Sequence, residues 1–216
     1  MLRPAAERRE ELIALFREAQ ACTRCALYET RTQVVFGSGN ADADLMFVGE
    51  APGFHEDQQG VPFVGRAGQL LEELLLEHGM SRAEVFITNV LKSRPPENRD
   101  PQPGEIEACR PYLQRQVELI EPRVICTLGN FATKLLTRST RGITQVHGQP
   151  QQHEIGGREV YLYPLFHPAA ALRTPKVKEQ LSEDFARLPG LIDAYAPREA
   201  LPDAPASSVE QLGFFG

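Results

Sequence analysis

No apolar run in this sequence approaches the ~20 residues needed to cross a bilayer, which excludes a helical membrane protein. The first 18 residues are polar and charged, with Leu12, Ile13, Leu15 and Phe16 on one helical face. They lack the apolar centre of a secretory signal, so a cytoplasmic protein is expected. Cysteine is scarce, four in 216 residues, and without a secretion signal the thiols are expected to bind metal or lie buried rather than pair as disulfides. Positive charge is in deficit: 23 Lys and Arg against 29 Asp and Glu give a net charge of -6. Phosphate binding needs positive surface, so the overall charge gives no support to a nucleic-acid role. No internal repeat is visible, which excludes a solenoid.

What remains is an ordinary globular composition, 42% hydrophobic, enough for one well-buried core but not for two. Residues 1–195 are read as one domain. Beyond Tyr195 the chain turns to Pro, Ala, Asp and Ser, which cannot bury enough apolar area to order itself, and residues 196–216 are read as a flexible tail. Local charge differs from the total. Lys92, Arg94 and Arg99 form one basic stretch, and Arg173, Lys176 and Lys178 another, each readable as a DNA-facing patch or as a solvated basic face.

Four short apolar runs bounded by turn signals predict buried strands: Leu45 to Val48, Val85 to Thr88, Val124 to Leu128 and Val160 to Tyr163. Helical patterns lie between them, one from Gly68 to His78 and one opened by Pro103-Gly104-Glu105 and closed by Pro122. Alternating strands and helices imply a mostly parallel sheet covered on both faces, with ligands at the C-terminal ends of the strands. Chemistry is therefore sought at Gly49 to Gly53, Asn89 to Pro96, Gly129-Asn130 and Phe166-His167-Pro168.

The first exit runs from Gly49-Glu50-Ala51-Pro52-Gly53 through Glu56-Asp57 to Pro62-Phe63-Val64-Gly65-Arg66-Ala67-Gly68. Dense glycines let backbone amides approach a ligand, although a long structural loop looks the same. Phe63 among them is either core or a ring on which a planar base can stack. Asn89, straight after a strand, either caps it or offers a donor and an acceptor to a pyrimidine edge. His167, backed by Pro168, either holds the strand end or donates to charge developing on a leaving group. Cys22-Thr23-Arg24-Cys25 has the spacing of metal-binding thiolates, and its place before the first strand argues against a redox pair. Cys126, inside a strand, reads as a small buried hydrophobe.

Taken together, these segments with Thr88-Asn89-Val90, Arg94-Pro95-Pro96-Glu97-Asn98-Arg99 and His167-Pro168 resemble the family 4 uracil-DNA glycosylases in order and spacing from about Cys22 to about Arg187. The resemblance implies a three-layer α/β/α sandwich with a small central parallel sheet. It implies an enzyme that hydrolyses the N-glycosidic bond of uracil in DNA, single- or double-stranded, and an enzyme of this size is expected to work as a monomer. By the same resemblance, Phe63 stacks on a flipped uracil, Asn89 reads its edge, Gly49 and Ala51 line the pocket, and His167 steadies the uracil anion. Arg66, Lys92, Arg94, Arg99 and Arg173 are expected to contact DNA. A family 1 enzyme has aspartate where this chain has Ala51, so Glu50 is the expected catalytic carboxylate, with Glu56 and Asp57 as substitutes. A non-catalytic damage-binding module with the same fold is the rival reading.

The resemblance also implies a 4Fe-4S cluster, with Cys22, Cys25 and Cys109 as ligands. The family's remaining cysteine is replaced here by Ser93, so Ser93, Cys126 or an open iron site are the alternatives for the fourth position. The loop after the second strand, Lys92 to Arg99, lacks the histidine of the related covalent uracil-binding proteins, so turnover is expected. The last residues, Gln211 to Phe215, resemble the peptide by which bacterial proteins bind the sliding clamp.

Overall fold

The structure of the protein, a computed structural model, describes residues 4–195. The apolar runs become strands because each is buried from both sides. The strands are β1 (Ser38–Gly39), β2 (Leu45–Gly49), β3 (Phe86–Asn89), β4 (Val124–Leu128), β5 (Gln151–Ile155) and β6 (Arg158–Leu165), in one sheet of order β1-β3-β2-β4-β6-β5. The four expected strands form its parallel centre. β1 and β5 flank it in antiparallel pairing and make the sheet mixed. Neither edge strand announces itself: β1 is two residues long, and β5 reads Gln-Gln-His-Glu-Ile, whose polar composition suits a solvated edge that resists pairing with another chain.

The helices among the described residues are α1 (Ala5–Gln20), α2 (Phe54–Gln59), α3 (Arg66–Glu77), α4 (Pro103–Ile120), α5 (Gly129–Thr137), α6 (Ile143–Val146), α7 (Pro168–Ala171), α8 (Pro175–Phe185) and α9 (Leu188–Ala194). None is long and apolar enough to cross a membrane. Alternation along the strands sorts the core into two layers. Met46, Val48 and Ile125 pack with Leu12 of α1, Leu113 and Val117 of α4 and Ala132 of α5. Leu45, Phe47 and Cys126 face the other way, against Leu71 and Leu74 of α3, Phe185 of α8 and Leu188 of α9. The sandwich is therefore three-layered.

Proline fits the first turn of a helix because its missing N–H has no partner there, and α4 begins on Pro103 as its sequence predicts. Glu105 reaches back to the N–H of Gln102 at 2.8 Å, completing the cap. α1 is fixed by a contact invisible in its weak amphipathic pattern. Buried Arg8 donates to the Leu119 carbonyl at 2.6 Å and to Asp42 at 2.8 Å, tying α1 to the C-terminal turn of α4.

Candidate active site

Parallel register brings the strand ends to one edge. Gly49 pairs with Asn89, and Leu128 with Leu165, so the four exits converge as their order along the chain predicts. The absence of a side chain at Gly49 is a spatial requirement: a Cβ there would lie 2.8 Å from Phe63 Cζ and closer still to Asn89 Oδ1. Gly49, Phe63 and Asn89 thus meet at one point. Gly129, at φ +90°, packs beneath His167, where a Cβ would stand 3.0 Å from the histidine Cβ.

Phe63 sits in left-handed backbone, φ 55°, a conformation that costs a non-glycine residue energy and must be held by its surroundings. The holders are specific. Glu56 accepts the N–H groups of Val64 and Gly65 at 3.0 and 2.9 Å, while Arg82 donates to the carbonyls of Phe63 and Pro62 at 3.0 and 2.7 Å. Gly68 completes the turn, because a Cβ there would collide with the Phe63 carbonyl. Phe63 is 6% exposed, and its ring stacks against the His167 ring at a tilt of 27°, with centroids 5.7 Å apart.

Nδ1 of His167 accepts the N–H of Ala169 at 3.1 Å. In a neutral imidazole this leaves the proton on Nε2. Burial pulls His167 down to about 4, against the opposing charge of Glu56, so the ring is neutral near pH 7 and carries one N–H to donate. His167 also lines a cleft of about 610 Å³ together with Glu50, Asp100, Gly129, Asn130 and Lys134. Burial first, and then the charge of Asp100, raise Glu50 above the ordinary carboxylate range.

The substitute carboxylates are otherwise engaged. Glu56 holds the Phe63 loop, and Asp57, buried in α2, takes the N–H of Thr32 on both oxygens at 3.0 and 3.1 Å. Both therefore have structural partners, which leaves Glu50, beside Asp100, as the one of the three expected carboxylates that lines the cleft. Asp100 and Arg82 were not singled out from the sequence. Asp100 is one of many acidic residues in a loop, and Arg82 lies in a turn 19 residues from the phenylalanine it holds.

Of the five residues expected to face DNA, Arg66 and Arg173 are exposed, and Arg94 is partly so. Arg99 is held by a two-pronged ion pair with Glu105, 3.0 and 2.5 Å, at the start of α4. Lys92 corrects the expectation. It is 2% exposed, and its ammonium donates to Thr88 Oγ1, the Asn89 carbonyl and Gln116 Oε1, each at 2.7 Å. Burial pulls it down to about 7. A side chain so enclosed braces the strand end that carries Asn89 and does not reach a phosphate.

Cys22, Cys25 and Cys109 all belong to the α1/α4 side of the sheet. Sγ of Cys109 accepts the backbone N–H of Lys92 at 3.4 Å, next to Ser93. Arg31 donates to Ser93 Oγ at 3.4 Å and to the Gln20 carbonyl at 2.8 Å, bridging Ser93 to the chain just before Cys22. Burial raises the Cys109 thiol, and the nearby Cys25 and Cys22 add to that rise. Among the described residues no three His, Cys, Asp or Glu side chains gather closely enough to hold a single metal ion. Cys126 is corrected as a candidate ligand: it is fully buried in β4 and points into the opposite layer, packed with Phe47 and Phe185.

A sheet of this order brings glycine, phenylalanine, asparagine and histidine together at its C-terminal edge. The chain belongs to the uracil DNA glycosylase superfamily, whose family model matches residues 36–188. Within it, the chain is similar to curated type-4 uracil-DNA glycosylases. That of Sulfurisphaera tokodaii is 46% identical over 79% of this chain and 80% of its own. That of Archaeoglobus fulgidus is 45% identical over 83% and 92%, and that of Thermotoga maritima 48% identical over 76% and 85%.

Proposed function

We propose that this protein is a uracil-DNA glycosylase that hydrolyses the N-glycosidic bond of a flipped-out uracil and so opens base excision repair. The observation that carries the reading is the meeting of Gly49, Phe63, Asn89 and His167 at one sheet edge, beside Glu50. A flipped base is read by hydrogen bonds on its pairing edge and by stacking. The carboxamide of Asn89 supplies a donor and an acceptor for that edge, and Phe63 the apolar wall. As the bond breaks, its electron pair passes to N1 of uracil, and Nε2–H of His167 donates to the resulting anion. A neutral donor suits this role, because it stabilises the anion without surrendering its proton. Water adds to C1′, and Glu50 orients it and accepts its proton. The raised proton affinity of Glu50 makes it a stronger acceptor for that proton.

Arg66, Arg94 and Arg173 are the candidates for phosphate contact. The cysteines and Ser93 fit a 4Fe-4S cluster. What supports this is the placing of three thiols and a seryl oxygen on one side of the sheet, with an amide N–H on Cys109 Sγ. Cys22, Cys25 and Cys109 would hold it, with Ser93 as the candidate for the fourth position. When bound, the group cross-links the segment after α1 to α4, and hydrolysis asks no electron transfer of it. The four cysteines, free of disulfides, suit a cytoplasmic setting. Gln211 to Phe215 lies outside the described residues and is proposed as a sliding-clamp ligand, and the enzyme is proposed to act as a monomer.

The decisive experiment is release of free uracil from uracil-containing DNA in chelator. The parent is expected to turn over, and Asn89→Ala or His167→Ala to lose roughly 10²- to 10³-fold in rate, the usual effect of removing one preorganised donor. Binding without release would replace the enzyme with a damage-binding module.

A further inference from the structure

Phe54 is an exposed aromatic in a protein that buries most of its large apolar side chains: 53% of it is open to solvent on the first turn of α2. Isolated exposed hydrophobics are ordinary. Phe54 is not isolated. The guanidinium of Arg94 lies over its ring, 5.2 Å from the centroid, and the His55 ring stands edge-on at 5.5 Å. Arg94 is itself steadied by donating to Asn98 Oδ1 at 2.7 Å.

The two partners come from different strand exits. Phe54 follows β2 and Arg94 follows β3, the adjacent strands whose ends pair Gly49 with Asn89. Their contact therefore bridges the two loops that leave the C-terminal ends of β2 and β3, the edge where Gly49 and Asn89 meet. α2 is also anchored to the next loop, through Glu56 on the Val64 and Gly65 amides, so the ring has a firm base. Exposed Arg66 follows directly after Gly65.

We propose that Phe54 and Arg94 form a stacking platform for a nucleobase flanking the uracil that enters the pocket. An aromatic face accepts any base, and an adjacent guanidinium both stacks and attracts the phosphate that joins the two nucleotides. Such a platform grips the strand on one side of the flipped nucleotide while leaving sequence unread. This inference rests on the glycosylase reading and adds a second contact point to it.

The test uses the full chain and short single strands carrying 2′-fluoro-deoxyuridine, which resists cleavage. One strand has ordinary bases beside the uracil, and the other has abasic nucleotides there. The parent is expected to bind the first strand about 5- to 100-fold more tightly, the range of one base–aromatic stack. Phe54→Ala is expected to bind both at the weaker level, and Phe54→Trp to restore the preference. Phe54→Ala that keeps the parent's preference, or a parent that shows none, would overturn the platform. Uracil release by the parent from an ordinary substrate is measured alongside. If that release is absent, the glycosylase reading falls and the platform with it, whereas release with an unchanged Phe54→Ala preference removes the platform alone.

Discussion

Glu50 and Asp100 share one cleft, and their mutual repulsion adds to the burial that raises Glu50. A base must be ionised to take a proton, so activity is expected to fall on the acid side as Glu50 protonates. His167 does not set that limb, since it stays neutral down to about 4. Removing the Asp100 charge lowers Glu50, so Asp100→Asn is expected to move the acid limb of kcat/KM to lower pH. An unmoved limb in the pH–rate profile would separate Asp100 from the chemistry. The sequence puts Glu50 first, with Glu56 and Asp57 as substitutes in the same segment. What distinguishes them is the backbone amides that Glu56 and Asp57 accept, and those depend on how the loop folds back on itself.

At the scale of elements, the central strands were legible because a strand buried on both faces is a continuous apolar run, and their exits followed from chain order. The edge strands were not, since a polar pentapeptide and a Ser-Gly pair carry no such signal. The loop bearing Phe63 lies between these cases. Its glycines marked it, but its shape comes from Glu56 on the amides and Arg82 on the carbonyls. Arg82→Met changes no pocket side chain and removes the carbonyl side of that clamp. It is expected to lower kcat/KM by roughly 10- to 100-fold, as small misplacements of a reacting geometry do. Steady-state kinetics beside a thermal melt would show whether the loss exceeds what destabilisation explains. Parent-like kinetics would mean that Glu56 and Gly68 hold the loop unaided.

Across the whole molecule, the sheet divides the cysteines. Three lie toward α1 and α4, and Cys126 lies beyond the sheet. Sequence spacing could not make this division, because alternation along β4 decides which way a side chain points, and one residue's shift in register reverses it. For the proposed cluster, the division sets Cys126 aside and leaves Ser93 as the candidate for the fourth position. Ser93→Cys is expected to hold more iron per chain and to lose its visible absorbance more slowly in oxidant than the parent. Equal iron content and equal decay would remove Ser93 from the proposed ligand set. Lys92 shows the same dependence on three dimensions. It stands in a basic stretch of sequence, yet its amine ends inside the protein, among Thr88, Asn89 and Gln116.

The clamp around Phe63 also bears on the thermodynamics of recognition. A loop that ordered itself around each base would bury fresh surface at every encounter and lower the heat capacity accordingly. Here the strained backbone is already held in the uncomplexed protein, so the heat-capacity change for capturing free uracil reflects little more than the apolar area of one pyrimidine. Most of the conformational entropy lost in shaping the pocket is lost once, when the chain folds, and is not lost again at each lesion.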